Sequence, residues 1–340
     1  MSALTIQFHR GGVHLPHLGL WLDPHQRVTG AELAFVSHAH SDHIGAHREV
    51  ILSVPTARLM SARIGGKRVE NILPFGEPRE FSGGNIPFRL TLLPAGHILG
   101  SAMAFIEAEG ETLLYTGDFK LRPGLAAEIC EPRRADFLVM ETTFGRPEYE
   151  FPPAETVLRD IIQFCRSALE QEETPVLFSY SLGKSQELLA GLGDAGLPLA
   201  VHESVEKMAK IYEHFGQRFP KYERHDDAAP LGKVVICPPN TNTAAALRQR
   251  NKIRTAVVTG WALDRSCRYR YQVDAAFPLS DHAGFSDLIE MVKRVAPKKV
   301  FTLHGFAADF AQSVREIGFD SQSLSEQEQL VLPFAGPIRR

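Results

Sequence analysis

The string HAHSDH at 38–43 puts His38, His40, Asp42 and His43 within six residues, directly after an apolar run that ends at Ser37. Imidazole nitrogens and carboxylate oxygens are the donors that zinc, manganese and similar divalent cations accept. Three imidazoles and a carboxylate this close are hard to bury without a cation, and a polar surface turn does not call for them. Three further donors stand where apolar runs end: His97 after LTLLPAG, Asp118 after LLYTG, and His304 after VFTL and before Gly305. One strand-end histidine says little. Beside HAHSDH, all three fall where ligands collect in sheet proteins, at the carboxyl ends of strands. Seven donors suffice for two divalent metal ions, with Asp118 able to bridge them.

The elements that must hold these donors are legible as short apolar runs. They include ELAFVS at 32–37, RLTLLP at 89–94, AMAFIE at 102–107, TLLYTG at 112–117 and DFLVME at 136–141. Later runs are PVLFSY at 175–180, KVVICP at 233–238, TAVVTG at 255–260 and KVFTLHG at 299–305. Each reads as a buried strand followed by turn or polar residues. Helical spacing appears at 154–169, where Val157, Leu158, Ile161, Cys165 and Leu169 share one face, and again at 184–191, 203–215, 241–250 and 285–295. The first 140 residues are dense in strands, whereas 150–260 alternate helix and strand. That contrast predicts an α/β sandwich followed or interrupted by a small Rossmann-like module. No internal repeat is present, and 320–328 (DSQSLSEQE) reads as a surface turn.

Composition closes off other classes. Of 340 residues, 44% are hydrophobic and 23% charged, as in soluble globular chains, which excludes a mostly disordered protein. No apolar run approaches the roughly 18 residues a membrane span needs, and MSALTIQFHRGG lacks an apolar signal core. A cytoplasmic protein without a membrane partner is therefore expected. Cys130, Cys165, Cys237 and Cys267 fit neither a disulfide framework nor a zinc knuckle and read as ordinary thiols. A net charge of −3 does not mark a strongly basic nucleic-acid binder, yet a local basic groove is enough to hold phosphates. His9, His14, His17, His25, His47, His202, His214 and His225 form no pattern and read as structural or surface residues.

The HxHxDH string, the isolated later His, the Asp after a TGD turn and the late HG together resemble the metallo-β-lactamase fold. ETTFG at 141–145 and SDHAG at 280–284 are similar to the two extra motifs of the β-CASP nucleases, the group of Artemis, Apollo and the endonuclease of pre-mRNA cleavage and polyadenylation. SYSLGKSQELL at 179–189 and TGW at 259–261 resemble the β-CASP cap, so the likeness covers nearly all of the chain. The tract GLWLDPHQRVTGAELAFVSHAHSDH and the short length look most like bacterial ligase-associated DNA damage response exonucleases.

This resemblance implies an αββα sandwich built from 1–150 and 262–340, with a β-CASP cap at 151–261. It implies that His38, His40 and His97 hold one Zn or Mn ion and Asp42, His43 and His304 a second, with Asp118 and a hydroxide bridging. Asp42 then counts among the catalytic residues, as do His282 and Glu141, which are surplus to the ligand set. His282 is assigned as the acid that protonates the leaving 3′-oxygen or stabilises its charge. Glu141 would hold its other ring nitrogen, or else cap the next segment as a strand-end carboxylate. Asp23 in GLWLDP would support the HAHSDH loop from behind. The implied activity is phosphodiester hydrolysis by a hydroxide that two metals activate, on DNA as an exonuclease in repair, with a DNA ligase and a helicase of that pathway as partners. Rival readings are an RNA nuclease of the same fold, a catalytically inactive scaffold subunit, and a lactamase or thiolester hydrolase. All seven ligands are present, which argues against the scaffold; the Glu141 and His282 motifs argue against the lactamase.

Two basic features bear on substrate. GKS at 183–185 resembles the tail of a Walker A loop, but Phe178 stands where its first Gly belongs, so a P-loop is rejected. Ser181, Lys184 and Ser185 are still candidates for a phosphate contact at a helix start, against a plain helix start. RQRNKIR at 248–254 supplies Arg250, Lys252 and Arg254, and DRSCRYR adds Arg265, Arg268 and Arg270. Such runs are either solvated surface or, in a cap over a nuclease site, a track for a polyanionic backbone.

Overall fold

The computed structural model describes residues 4–9, 11–28, 30, 32–225, 232–239 and 241–324, and the chain divides into two compact units. The first comprises Met1–Pro123, Ala127–Pro147 and His282–Arg340. Its first sheet runs Gln7–His9, Gly12–Leu15, Leu20–Leu22, Leu33–Phe35, Glu49–Leu52 and Val69–Ile72, hydrogen-bonded in that order and parallel from Leu20–Leu22 onward. The second runs Ser321–Ser323, Lys299–Leu303, Phe137–Glu141, Glu111–Tyr115, Ala102–Ala108, Phe88–Pro94 and Pro78–Phe81.

Period-two patterning makes the second sheet the middle of a sandwich. Ala102, Ala104, Ile106, Leu113, Tyr115 and Val139 face one way and pack with Phe35 and Ile51 of the first sheet. Met103, Phe105, Leu114, Leu138 and Met140 face the other way, against Leu288, Met291 and Val292 of helix Phe285–Val295 and Phe310 and Val314 of helix Ala307–Glu316. Strands buried on both faces read as continuous apolar runs, which makes these the most legible elements of the chain. Helix Val54–Arg63 starts where Ser53 Oγ accepts the Thr56 N–H, with Pro55 in its first turn.

The second unit, Gly124–Ala126 and Glu148–Asp281, carries an all-parallel sheet. Its order is Tyr222–Arg224, Leu199–Val201, Val234–Cys237, Thr174–Phe178, Ile253–Val258 and Ala275–Phe277. Helices Ala154–Glu170, Lys184–Gly191 and Glu203–His214 cover one face, and helix Thr243–Arg250 with the segment around Cys267 and Val273 covers the other. Residues 262–281, expected with the second part of the sandwich, group here instead. The reason is local: Ala275–Phe277 adds to the sheet edge by pairing with Ile253–Val258, and a three-residue strand leaves no periodicity to read. The expected turn at 320–328 is likewise a strand over Ser321–Ser323, paired with Lys299–Leu303, while 325–328 lie outside the described residues. The four cysteines are buried free thiols, and burial pushes those of Cys130, Cys165 and Cys237 up to about 12. No helix among the described residues is long and apolar enough to cross a membrane.

Candidate metal centre

Every donor named from the sequence sits at one edge of the two sheets of the first unit. Asp23 follows Leu20–Leu22, and HAHSDH follows Leu33–Phe35, two strands in parallel register. Asp118 follows Glu111–Tyr115, Glu141 ends Phe137–Glu141, and His304 follows Lys299–Leu303, three strands that also run parallel. His97 follows Phe88–Pro94, which two antiparallel pairings return to that same direction.

Asp23 is the hub that orients this edge. Its carboxylate accepts the Ser37 N–H at 2.7 Å, the Ser37 hydroxyl at 2.5 Å, the Tyr115 phenol at 2.9 Å and Nδ1–H of His43 at 2.9 Å. Having given its proton to Asp23, Ser37 Oγ accepts Nδ1–H of His38 at 2.9 Å. Both imidazoles are thereby fixed with Nε2 forward, the outer-sphere arrangement that tunes metal-binding histidines. Asp23 thus supports the HAHSDH loop, and Ser37 and Tyr115, which no sequence motif marks, share the work. Ser37 adjoins HAHSDH and Tyr115 stands three residues before Asp118, so proximity is their only signal.

The forward atoms converge. Nε2 of His38 and Nε2 of His97 each lie 3.1 Å from Nδ1 of His40, and Asp118 Oδ2 lies 3.4 Å from His38 Nε2 and 3.8 Å from His97 Nε2. Metal–nitrogen bonds of about 2.0–2.1 Å in a tetrahedron set donor atoms about 3.3 Å apart, so this spacing fits one divalent cation. All four donors lie within 4.8 Å of one another. Burial holds the His38 pKa well below its usual value, in the neutral form a ligand needs. Burial opposes ionisation of Asp118, but His43 and His282 outweigh it and keep the carboxyl well below its usual range.

The second set is joined in pairs rather than as one cluster. His43 Nε2 lies 3.3 Å from Asp118 Oδ2 and 3.8 Å from Asp42 Oδ2, and its ring centroid is 6.2 Å from that of His304. Asp42 is the exposed member, with 64% of its side chain accessible. His304 is held by its backbone: it has φ 62° and Gly305 φ 56°, and Thr142 Oγ1 donates to the carbonyls of Leu303 and His304. A Cβ on Gly305 would fall against the backbone of Thr142 and Thr143. Gly305→Ala should therefore cost at least about 2 kcal/mol, from left-handed strain plus overpacking. Denaturant unfolding of the two proteins checks this, and equal midpoints would contradict the close approach.

His282 and Glu141 meet as the sequence leads one to expect. Nδ1 of His282 lies 2.9 Å from Oε1 of Glu141, which is buried while His282 keeps 20% of its side chain accessible. Oε2 of Glu141 accepts the Thr143 N–H at 2.9 Å. The carboxylate is thus both hydrogen-bonded to the imidazole and a cap on the next segment; the two readings of Glu141 coexist. The His282 ring lies near that of His97, with centroids 4.6 Å apart.

The phosphate candidates do not come forward. Lys184 is buried, 2% accessible, and its Nζ donates to Asp281 Oδ1 at 2.7 Å. Ser185 Oγ donates to the Tyr180 carbonyl and meets Ser179 Oγ, and the Ser181 carbonyl accepts Gln186 Nε2. Two N–H groups at the helix start are occupied too: that of Gly183 by the Gln186 side chain and that of Ser185 by the Tyr180 carbonyl. GKS here is an internal clamp, in which the Lys184 and Ser185 side chains are engaged within the unit, while Ser181 is half-buried. Removing one partner of a buried ion pair costs about 3–5 kcal/mol. Lys184→Met should lose that much, and Lys184→Met with Asp281→Asn should recover part of it in equilibrium unfolding. Arg254 is also engaged, by Glu173 at 2.6 Å; Arg250 and Lys252 lie at the surface.

With this geometry in view, the likeness to known proteins is specific. The model of the metallo-β-lactamase superfamily matches residues 32–171, and that of the Zn-dependent metallo-hydrolase RNA specificity domain matches 270–322. The chain belongs to the metallo-β-lactamase superfamily. Within it, the ETTFG and SDHAG motifs and the relatives that follow place it among the β-CASP nucleases. It is 50% identical over 94% of its length to a probable DNA ligase of Opitutus terrae, spanning 31% of that protein. It is 28% identical over 88% of its length to the 5′ exonuclease Apollo of Gallus gallus, spanning 64% of it. An RNase J-like protein of Methanocaldococcus jannaschii is 31% identical over 56% of the chain, which spans half of that relative. A crystal structure of a protein of unknown function from Enterococcus faecalis V583 shares the fold, with a TM-score of 0.56, 12% identity, and coverage of 87% of this chain and 79% of that one.

Proposed function

We propose that the chain hydrolyses phosphodiester bonds at DNA ends, as an exonuclease of repair. The observation that carries the reaction class is the Glu141–His282 pair beside the cluster of His38, His40, His97 and Asp118. A departing sugar alkoxide needs a proton or a compensating charge, whereas a thiolate, with a thiol pKa near about 8.5, leaves without help. A buried carboxylate behind an imidazole is the means to supply it.

In this reading His38, His40, His97 and Asp118 would hold one Zn or Mn ion, and Asp42, His43 and His304 would hold a second beside Asp118. Such ions lower the pKa of water and offset charge on the attacking and leaving oxygens of an in-line displacement. The protein's own residues do the rest. Asp23 and Ser37 fix the tautomers of His43 and His38. Glu141 keeps a proton on Nδ1 of His282 and favours the imidazolium, so that Nε2–H can pass its proton to the leaving oxygen.

DNA is favoured because half of the aligned residues are shared with a protein named as a probable DNA ligase, of which this chain matches about a third. A DNA ligase is on that ground the proposed partner. The second reading, an RNA nuclease, is favoured by the RNA specificity model at 270–322 and by the RNase J-like relative. End-labelled single- and double-stranded DNA and RNA, incubated with the protein in Mn²⁺ or Zn²⁺, decide between them. Stepwise shortening of DNA is expected. Preferential loss of RNA would transfer the proposal to the second reading, and no cleavage with either metal would overturn both.

A further inference from the structure

The second unit divides its charge between the two faces of its sheet. Helices Ala154–Glu170, Lys184–Gly191 and Glu203–His214, which cover one face, carry seven acidic and five basic residues. On the other face lie helix Thr243–Arg250 and the short helix Cys267–Tyr271, anchored on a shared apolar layer by Ala244, Leu247, Cys267 and Val273. From 243 to 271 the chain has seven Arg or Lys and a single acidic residue, Asp264. Asp264 is taken by Arg270 and Arg254 by Glu173. Arg248, Lys252, Arg265 and Arg268 are exposed and have no ion-pair partner among the described residues.

Between Arg268 and Arg270 of this second group stands Tyr269. Its neighbour two residues on, Tyr271, packs into the apolar layer, but Tyr269 is 84% accessible, the most exposed large hydrophobic side chain among the described residues. No ring stacking or side-chain hydrogen bond engages it among the described residues; its carbonyl accepts the Gln272 N–H. Keeping an aromatic ring in water beside free guanidinium groups brings no stability to the fold. It does match a polyanion whose bases are accessible, since cations track the phosphates while an aromatic face stacks on a base. A duplex offers the phosphates but keeps its bases stacked inside.

We propose that this face binds single-stranded DNA, with Tyr269 stacking on one base and Arg265, Arg268, Arg248 and Lys252 contacting the phosphates. The inference rests on the reading of the chain as a DNA hydrolase and adds to it a strand-holding surface outside the metal centre.

The test is binding of fluorescently labelled oligo-dT to the full chain in EDTA, with nuclease activity on the same preparations assayed separately. Stacking on one base is worth a factor of about five to a hundred and fifty in affinity. Tyr269→Ala should lose affinity in that range, Tyr269→Phe should keep it, and Tyr269→Trp should keep it and show quenching of the new indole on binding. Arg265→Ala with Arg268→Ala should lower the slope of log affinity against log salt by about 1.4, at roughly 0.7 for each single-strand phosphate deprived of its cation. Equal affinity of Tyr269→Ala and the parent overturns the stacking, and an unchanged salt slope overturns the phosphate track. Either result beside intact DNA hydrolysis removes this surface and leaves the nuclease reading standing. A parent protein that binds RNA or duplex DNA better than oligo-dT overturns the choice of ligand, and one that neither binds nor cleaves DNA overturns the nuclease reading itself.

Discussion

Asp118→Asn should strip the protein of bound metal and of hydrolysis together. Asp118 Oδ2 lies within 3.3–3.8 Å of Nε2 of His38, His43 and His97, so one carboxylate serves both halves of the donor set. Asparagine keeps the shape and removes the charge. Losing an outer partner of a metal ligand already costs about 10–100-fold in affinity or activity, so losing a shared ligand should cost more than about a hundred-fold at each site. Elemental analysis after metal reconstitution and dialysis, with circular dichroism to confirm the fold, reads this directly. His38→Ala is the companion variant, and it should empty the site of His38, His40 and His97 while sparing the other. Full metal content in Asp118→Asn would mean that the carboxylate bridges nothing.

His282→Ala should do the opposite: keep metal and fold, and lose turnover. General acid catalysis contributes about 10²–10⁴-fold, and kcat should fall within that range. The Thr143 and Phe119 N–H groups still donate to Glu141 when the imidazole is removed, so the buried carboxylate does not become an orphan. A nitrophenyl phosphodiester, whose leaving group needs no proton, should be hydrolysed by the variant far closer to the parent rate than DNA is. Glu141→Gln should repeat the pattern in weaker form, because the imidazole stays while its charge loses support. Loss of a metal in His282→Ala would make the residue a ligand. Equal losses on both substrates, with metal retained, would assign it to phosphate binding.

What the sequence makes legible depends on how far the information reaches along the chain. HAHSDH is a short-range pattern, complete within six residues, and His97, Asp118 and His304 are marked by the apolar strands before them. The pairing of Glu141 with His282, across 141 residues, is visible only through the family motifs, since no local rule joins positions so far apart. GKS shows the other side. Its three letters describe a helix start equally well whether the lysine faces water or Asp281, and only tertiary burial, invisible in the string, turns it inward. Arg254 and Glu173 are separated by 81 positions, so the basic run around Arg254 hides its partner in the same way. Strands of three residues, such as Leu199–Val201 and Ala275–Phe277, are too short to show a period at all.

The second sheet of the first unit has a consequence for synthesis on the ribosome. Strand Phe137–Glu141 is flanked by Glu111–Tyr115 on one side and by Lys299–Leu303 on the other, so its second neighbour emerges 158 residues after it ends. At about 5–20 residues per second, that gap lasts roughly eight to thirty seconds. Throughout it, His38, His40, His97 and Asp118 already exist and the edge lacks His304, while Glu141 lacks His282 for all but the last 17 residues of the interval. The Glu141–His282 pair, 141 positions apart, is thus one of the last contacts of this edge to form.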